Sequence, residues 1–293
     1  MSKPTNLEPS ELGTKEYWDN LYTTELTNHA HNPSDTGTVW FDDSDAETKL
    51  IDFLSAPDLV PSLNLSQATT SFLDLGTGNG SLLFGLRDAG WAGRMLGVDY
   101  SRQSIEFARR LAQARISPDS SSSSSSLSDP DSARSDDDEE RAGVVGRREN
   151  EQPITFLEHD ILRTSPAALL TSAQSRGWDV VLDKGTFDAI SLSSETDPAT
   201  GRRVAESYRS KIAPLVREGG LFLVTSCNWT EAELRGWFAG PAKEGEEGEV
   251  DEETRRWRFE EVGRVKYPSF SFGGVKGQTI SSLCFRKVRN IEK

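Results

Sequence analysis

Residues 71–81 read SFLDLGTGNGS, a short apolar run that ends in an acid and a loop of three glycines. An apolar run of this length predicts a buried strand, and the glycines predict a tight turn that lets a ligand approach backbone amides closely. Ligands of parallel sheets bind beyond the carboxyl ends of the strands. The spacing G-x-G-x-G differs from the dinucleotide fingerprint, and such a loop alone also fits an ordinary strand–helix turn. The candidate binding residues of this segment are Asp74, Gly76, Gly78 and Gly80.

On both sides of this loop, short apolar runs alternate with amphipathic segments. Strands are predicted at 71–76, 94–100, 154–160, 179–185 and 220–227. Helices are predicted at 10–29, 47–56, 80–90, 102–115, 163–177, 201–219 and 230–240. Two more strands, 257–268 and 277–288, follow each other without a helix and so predict an antiparallel hairpin joined by 269–277. The predicted fold is α/β: a Rossmann-like, seven-stranded, mostly parallel sheet with helices on both faces and a C-terminal antiparallel hairpin.

The formal net charge of −14 is concentrated in two segments. Residues 117–151 hold ten acids and four arginines, and residues 244–253 hold seven acids and no base. Dense like charge with few apolar residues predicts disorder. We therefore predict a single domain over 1–293 with an N-terminal helical cover, 1–60, and disordered acidic insertions at about 117–151 and 241–254.

The two cysteines, Cys227 and Cys284, show neither a metal spacing nor a disulfide framework, which suits a reducing compartment. No apolar run approaches the length of a membrane span. The three histidines have no ligand spacing, and His159, in the third strand, is interpreted as structural. These features predict a cytoplasmic protein without metal or membrane partner, with nuclear residence left open.

Acids also end the next two strands. Asp99 ends the second strand 21 residues after Gly78, where a carboxylate can accept both hydrogen bonds of a ribose diol; Ser101 is the better cap for the following helix. Asp160 ends the third strand, where it can receive an exocyclic amine or serve as a turn residue. The candidate binding residues at these two ends are Asp99, Tyr100, Asp160 and Ile161.

The motifs LDLGTGNG, GVDYS, EHDI and VLDKGTFDAI, in this order, resemble those of class I S-adenosylmethionine-dependent methyltransferases. The resemblance covers essentially the whole chain apart from the acidic insertions. It implies S-adenosylmethionine as cofactor, with Asp74 and the glycines at its methionine moiety, Asp99 on its ribose hydroxyls, and Asp160 with Ile161 beside its adenine. Asp183 is implied to close the methyl-transfer pocket.

The stretch 183-DKGTFDA-189, with 16-EYWDNLY-22 and 38-TVWFDD-43, resembles the lysine methyltransferases of translation elongation factor 1-alpha of fungi and animals. The resemblance implies a monomeric protein-lysine N-methyltransferase, a transferase whose protein partner is elongation factor 1-alpha. The Ser/Asp-rich insertion departs from the family pattern, so the way in which that loop takes part in substrate docking stays open.

Methyl transfer to lysine requires a neutral amine in line with the departing sulfur. We predict that Asp183 orients the incoming ammonium or accepts its proton, and that Phe187 walls the pocket. Trp18 and Trp40 could contact the cationic sulfur or methylammonium, or could simply pack the N-terminal cover. Lys184 could pair with Asp183 or Asp188, or lie exposed at the rim.

Other functions on the same scaffold remain open. A nucleic-acid amino methyltransferase is disfavoured because Asp183-Lys184-Gly185-Thr186 lacks the prolines typical of that position and the chain has no basic stripe. A small-molecule methyltransferase is the stronger alternative, since a fold does not fix a function. The intact Asp99 and glycines argue against a catalytically silent binding module. The glycine spacing and the terminal hairpin argue against an NAD-dependent dehydrogenase.

Overall fold

The computed structural model describes residues 6–116, 151–241, 256–272 and 275–290. Both acidic insertions therefore lie, almost entirely, outside the described residues. None of the helices in these ranges has the length and apolar character needed to cross a membrane. The α-helices of these ranges are α1 (Lys15–His31), α2 (Ala46–Ser55), α3 (Leu59–Ser62), α4 (Ser81–Asp88), α5 (Arg102–Ile116), α6 (Thr186–Ser191), α7 (Tyr208–Ile212) and α8 (Glu231–Phe238).

One large sheet organises the described chain, with strand order β3-β2-β1-β4-β5-β10-β7-β6. Strands β1 to β5 run parallel to one another, and β10 is antiparallel to both β5 and β7. The strands are β1 (Phe72–Leu75), β2 (Met95–Asp99), β3 (Ile154–Glu158), β4 (Trp178–Lys184), β5 (Val216–Ser226), β6 (Gly240–Pro241), β7 (Trp257–Val265), β8 (Ser269–Phe272), β9 (Val275–Gln278) and β10 (Ser281–Arg289). The predicted seven-stranded, mostly parallel sheet is confirmed.

The C-terminal part of the described chain has two features that the sequence did not predict. The two-residue strand β6 pairs with β7 at the edge, and it is too short to leave a hydrophobic pattern. The chain between β7 and β10 forms a separate two-stranded sheet, β8 and β9, where a plain glycine-rich connection was predicted. The predicted hairpin strands themselves are neighbours in antiparallel register.

Two predicted helices are wrong. Instead of a helix at 163–177 there are two short 3-10 turns, Pro166–Leu169 and Ser172–Gln174, and Ser172 has a left-handed backbone (φ 53°) that interrupts helical geometry. Within 201–219 only α7 is α-helical. Pro214 lies in the following 3-10 turn, where it cannot donate the backbone hydrogen bond that would extend a helix, and β5 begins at Val216.

Hydrophobic side chains cover both faces of the sheet, and the alternation along β4 shows why. Val180 and Leu182 belong to the core on one face, whereas Val181 belongs to the core on the other. Successive side chains of a strand point to opposite faces, so a strand that is buried on both sides is apolar throughout. This leaves the carboxyl ends of the parallel strands, where the cleft opens, as the place for polar residues.

Candidate active site

A cleft lies at the carboxyl ends of the parallel strands, and the glycine loop after β1 forms its floor. Gly76 (φ 62°) and Gly78 (φ 57°) both have left-handed backbones and line the cleft. A Cβ atom at Gly76 would lie 2.1 Å from Thr186 Oγ1, so only glycine fits there. Gly80 differs from the prediction: it is not among the residues that line the cleft, because it precedes α4 and packs against the ring of Phe156.

Two buried acids, Asp74 and Asp99, face the cleft from neighbouring strands. Thr77 Oγ1 donates to Asp74 at 2.7 Å. The amides of Gly78 and Ser101 donate to different oxygens of Asp99, at 3.2 and 2.9 Å. Burial raises the pKa of Asp74 to about 7 and also raises the pKa of Asp99. Because a carboxylate has about four acceptor sites, Asp99 is oriented by these two amides and the Ser104 hydroxyl and keeps acceptor capacity for a ligand.

Asp160 and Ile161 lie in the loop that follows β3, and both line the cleft. Asp160 also has the turn role considered above, because its Oδ1 accepts from the amides of Leu162 and Arg163 at 2.9 and 3.1 Å. His159 was interpreted as structural. It is only 4% exposed and lines the cleft, and its Nε2 has no hydrogen-bond partner among the described residues.

The N-terminal segment forms the opposite wall. Trp18 and Trp40 both line the cleft, with ring centroids 5.2 Å apart, and Trp18 Nε1 donates to Leu12 O at 2.8 Å. Trp40 Nε1 is buried without a hydrogen-bond partner in the described part of the chain. Phe41 also lines the wall and has a left-handed backbone (φ 66°), a strained conformation for a non-glycine residue.

Tyr100 lines the cleft beside Asp99, and the Nζ of Lys15 lies 5.5 Å from the centre of its ring. Lys15 lies in the first turn of α1 and Tyr22 in the second, and both line the cleft. Neither of them was identified from the sequence as a site residue. They are polar or aromatic residues of a helix with almost no amphipathic pattern, so nothing in the sequence shows which side of the helix faces the sheet or which sheet end it covers.

Lys184 adopts neither of its predicted arrangements. Its Nζ donates to the carbonyl oxygen of Trp40 at 3.0 Å and lies 3.4 Å from Glu47 Oε1. Glu47 in turn accepts from Ser81 Oγ at 2.6 Å. Lys184 therefore fastens the N-terminal wall to the end of β4, and we call Lys184, Glu47 and the Trp40 carbonyl the latch.

The structure corrects the predicted positions of Asp183 and Phe187. Neither is among the residues that line the cleft. Asp183 is 1% exposed and accepts hydrogen bonds from Tyr208 Oη at 2.6 Å and from the amides of Thr186 and Phe187, so its carboxylate turns back to cap α6. Burial raises its pKa to about 7. Phe187 is fully buried and stacks on Tyr208 with ring centroids 5.4 Å apart, so it packs the core instead of the pocket wall.

Another acid of the same motif does line the cleft. Asp188 lies in the first turn of α6, beside Cys227 and Asn228 at the end of β5. Asp183 and Asp188 belong to the same motif at the end of β4. The sequence alone cannot show which of the two side chains points into the cleft. Among the described residues there is no group of three His, Cys, Asp or Glu side chains that could hold a metal ion.

Known proteins resemble the chain in sequence and in fold. Residues 66–117 match the family described as "Methyltransferase domain". The protein-lysine N-methyltransferase EFM4 of Saccharomyces cerevisiae is 36% identical over 98% of this chain and 99% of its own. EEF1A lysine methyltransferase 2 of Homo sapiens is 29% identical over 96% of this chain and 88% of its own. The solved structure of magnesium protoporphyrin IX methyltransferase from Synechocystis, with bound SAM, covers 96% of this chain and 99% of its own at 14% identity and a TM-score of 0.44.

The sheet order and the glycine loop facing Asp99 define a class I methyltransferase, as the sequence predicted. More narrowly, the chain belongs to the family of protein-lysine N-methyltransferases that includes EFM4. Enzymes of this class take the transferred methyl group from S-adenosylmethionine. In this chain the cleft described above is the candidate active site, because ligands of doubly wound sheets bind at this end of the strands.

Proposed function

We propose that the protein transfers a methyl group from S-adenosylmethionine to a lysine side chain of translation elongation factor 1-alpha. The observation that carries the chemistry is Asp99, a buried carboxylate with both oxygens oriented by backbone amides, beside the glycine loop of the cleft. The protein acceptor is supported by relatives named as lysine methyltransferases of that factor. We further propose that the enzyme acts in the cytoplasm as a monomer.

The residues of the cleft fit the cofactor. Asp99 faces the cleft with an oriented carboxylate that would accept from the ribose hydroxyls, and Gly76 and Gly78 expose backbone where the methionine moiety would lie. The buried Nε1 of Trp40 has no acceptor among the described residues, and a ligand carboxylate would satisfy it. Residues that would surround the rest of the cofactor are Trp18, Asp74, Tyr100, Asp160 and Ile161.

The cofactor supplies an electrophilic methyl group on a sulfonium, and the protein positions the acceptor and excludes water. Trp18, Trp40 and Phe41 present aromatic faces to the cleft, which attract cations such as a sulfonium or a methylammonium. The latch holds this aromatic wall against the end of β4. A lysine side chain of the substrate would enter between this wall and the sheet.

Radiolabelled S-adenosylmethionine added to the protein and a cell lysate tests this proposal. After separation into protein, RNA and small molecules, we expect label in one protein band that comigrates with elongation factor 1-alpha. The Asp99→Ala protein serves as the inactive control. Label confined to RNA or to small molecules would overturn the proposed acceptor, and label in a different protein would overturn the proposed partner. Gel filtration tests the monomer.

A further inference from the structure

We propose that Asp188, not Asp183, is the carboxylate that receives the target lysine and takes its proton. This inference rests on the proposed function and adds the residue that handles the methyl acceptor. Both acids belong to the stretch 183-DKGTFD-188, but the chain turns them in different directions. Asp183 accepts hydrogen bonds from the first amides of α6, whereas Asp188 faces the cleft.

Uncharged donors hold the carboxylate of Asp188 in place: the Ser226 hydroxyl, the amide and thiol of Cys227 and the amide of Asn228. Ser226 Oγ donates to one oxygen, and the amide of Cys227 donates to the other at 2.8 Å. Asp188 is 5% exposed, and none of the ion pairs of the described residues includes it. Since none of these hydrogen-bond donors is charged, the carboxylate is fixed and lacks a cationic partner, which an ammonium group would supply.

The charged and titratable groups near Asp188 favour a cation. Asp183 is close enough for Asp188 to contribute to its raised pKa, and the Cys227 thiol lies beside Asp188. Burial, together with Asp188 and then Asp43, raises the pKa of the Cys227 thiol to about 12, so the thiol stays neutral. The nearby lysine of the motif, Lys184, is engaged by the latch. An entering lysine ammonium would therefore be the matching positive charge.

The position of Asp188 suits an acceptor and not the cofactor. It lies at the ends of β4 and β5, together with Cys227 and Asn228, whereas the ribose-binding candidate Asp99 ends β2 on the other side of β1. The glycine loop after β1 separates the two acids. A lysine that reaches Asp188 would thus approach the methionine end of the cleft from the side opposite the ribose.

The proton balance is simple. The lysine ammonium donates to Asp188, the N–H bond breaks, and the carboxylate becomes a neutral carboxylic acid while the amine regains its lone pair. Burial raises the pKa of Asp188, which makes it a better proton acceptor than an exposed carboxylate. S-adenosylmethionine supplies the methyl group: the new N–C bond forms, the S–C bond breaks, and its electron pair stays on sulfur. Asp188 afterwards returns its proton to solvent.

A purely structural role for Asp188, holding the turn after β5, makes a different prediction, and Ser226→Ala tests it, because Ser226 Oγ also accepts from the amides of Asn228 and Trp229 in that turn. That substitution removes a hydrogen bond to Asp188 but keeps the carboxylate. Asp188→Asn keeps the shape and removes the charge. Asp183→Asn tests the other acid of the motif. For each protein, kcat and KM for the acceptor are measured across pH, with S-adenosylhomocysteine affinity and melting temperature as checks of the fold.

We expect Asp188→Asn to lower kcat by about 10²- to 10⁴-fold, the usual contribution of a general base, without weakening S-adenosylhomocysteine binding. The loss should shrink as pH rises, because more of the lysine is then already neutral. Acceptor binding to the enzyme loaded with S-adenosylhomocysteine, measured by calorimetry, should also weaken, whereas Ser226→Ala should keep most of both properties.

Three results would overturn the proposal: a wild-type kcat in Asp188→Asn, equal and pH-independent losses in Asp188→Asn and Ser226→Ala, or a loss confined to Asp183→Asn. All variants are compared on whichever lysine acceptor the wild-type protein labels. Failure of elongation factor 1-alpha as the acceptor would therefore contradict the proposed function while leaving the role of Asp188 under test.

Discussion

The latch gives the sharpest test of how the N-terminal wall is held. Lys184→Met removes the hydrogen bond from a charged amine to the Trp40 carbonyl and leaves Glu47 without its cation. The side chains of Lys184 and Glu47 are only 12% and 18% exposed, so water replaces these contacts poorly. Hydrogen bonds to charged groups contribute about 1.5–3 kcal/mol, and we expect the free energy of unfolding to fall by about 2–3 kcal/mol.

The assay is urea denaturation of Lys184→Met, Glu47→Gln and the double variant. The midpoint should fall while the denaturant slope stays unchanged, because the folded core is untouched. The coupling energy between the two positions should be about 1–2 kcal/mol, within the range for residues in one ion-pair network. S-adenosylhomocysteine affinity should fall as well, since Trp40 loses its anchor. Additive single effects with unchanged ligand affinity would refute the latch.

Three further outcomes are expected. Gly76→Ala should lower the melting temperature more than Gly201→Ala, because both glycines have a left-handed backbone (φ 62° and 66°) but only the Cβ at Gly76 meets an atom, Thr186 Oγ1, at 2.1 Å; equal effects would contradict the clash. The pKa of Asp183 is raised from 3.8 to about 7, so the stability that this group contributes at low pH is lost as pH rises through about 4 to 7. Asp183→Asn should remove up to roughly 4 kcal/mol of that pH dependence in denaturation curves, at about 1.4 kcal/mol per pH unit, and an unchanged pH dependence would contradict the raised pKa. Asp99→Asn should weaken S-adenosylhomocysteine binding by about 1.5–3 kcal/mol in calorimetry, the contribution of hydrogen bonds to a charged group, with the melting temperature as a check of the fold; unaltered affinity would contradict the ribose assignment.

The sequence could predict the parallel strands and the glycine loop because local signals determine them. Apolar runs mark β1 to β5, and only glycine tolerates the turn at Gly76. The predictions of helices at 163–177 and 201–219 were wrong. Composition favours a helix in both segments, but Pro166, Ser172 and Pro214 interrupt helical geometry. The two-residue strand β6 depends entirely on its pairing with β7, which leaves no local trace.

Within the site, the sequence located the polar strand ends but not the directions of their side chains. Asp99 points into the cleft, whereas Asp183 turns back toward α6 and Phe187 enters the core, although all three lie at or just beyond the ends of apolar strands. The contact between Lys184 and Trp40 joins residues 144 positions apart. Such a contact forms only when the tertiary fold brings the N-terminal wall to the sheet, so no spacing rule could predict it.

Peptide mass spectrometry of elongation factor 1-alpha, purified from cells with and without this protein, tests the central claim most directly. We expect one lysine of the factor to carry methyl groups in the parent cells, to be unmodified in cells that lack the protein, and to regain the methyl groups when the wild-type chain but not the Asp99→Ala chain is restored. Identical methylation of every lysine in the two kinds of cell would contradict the account.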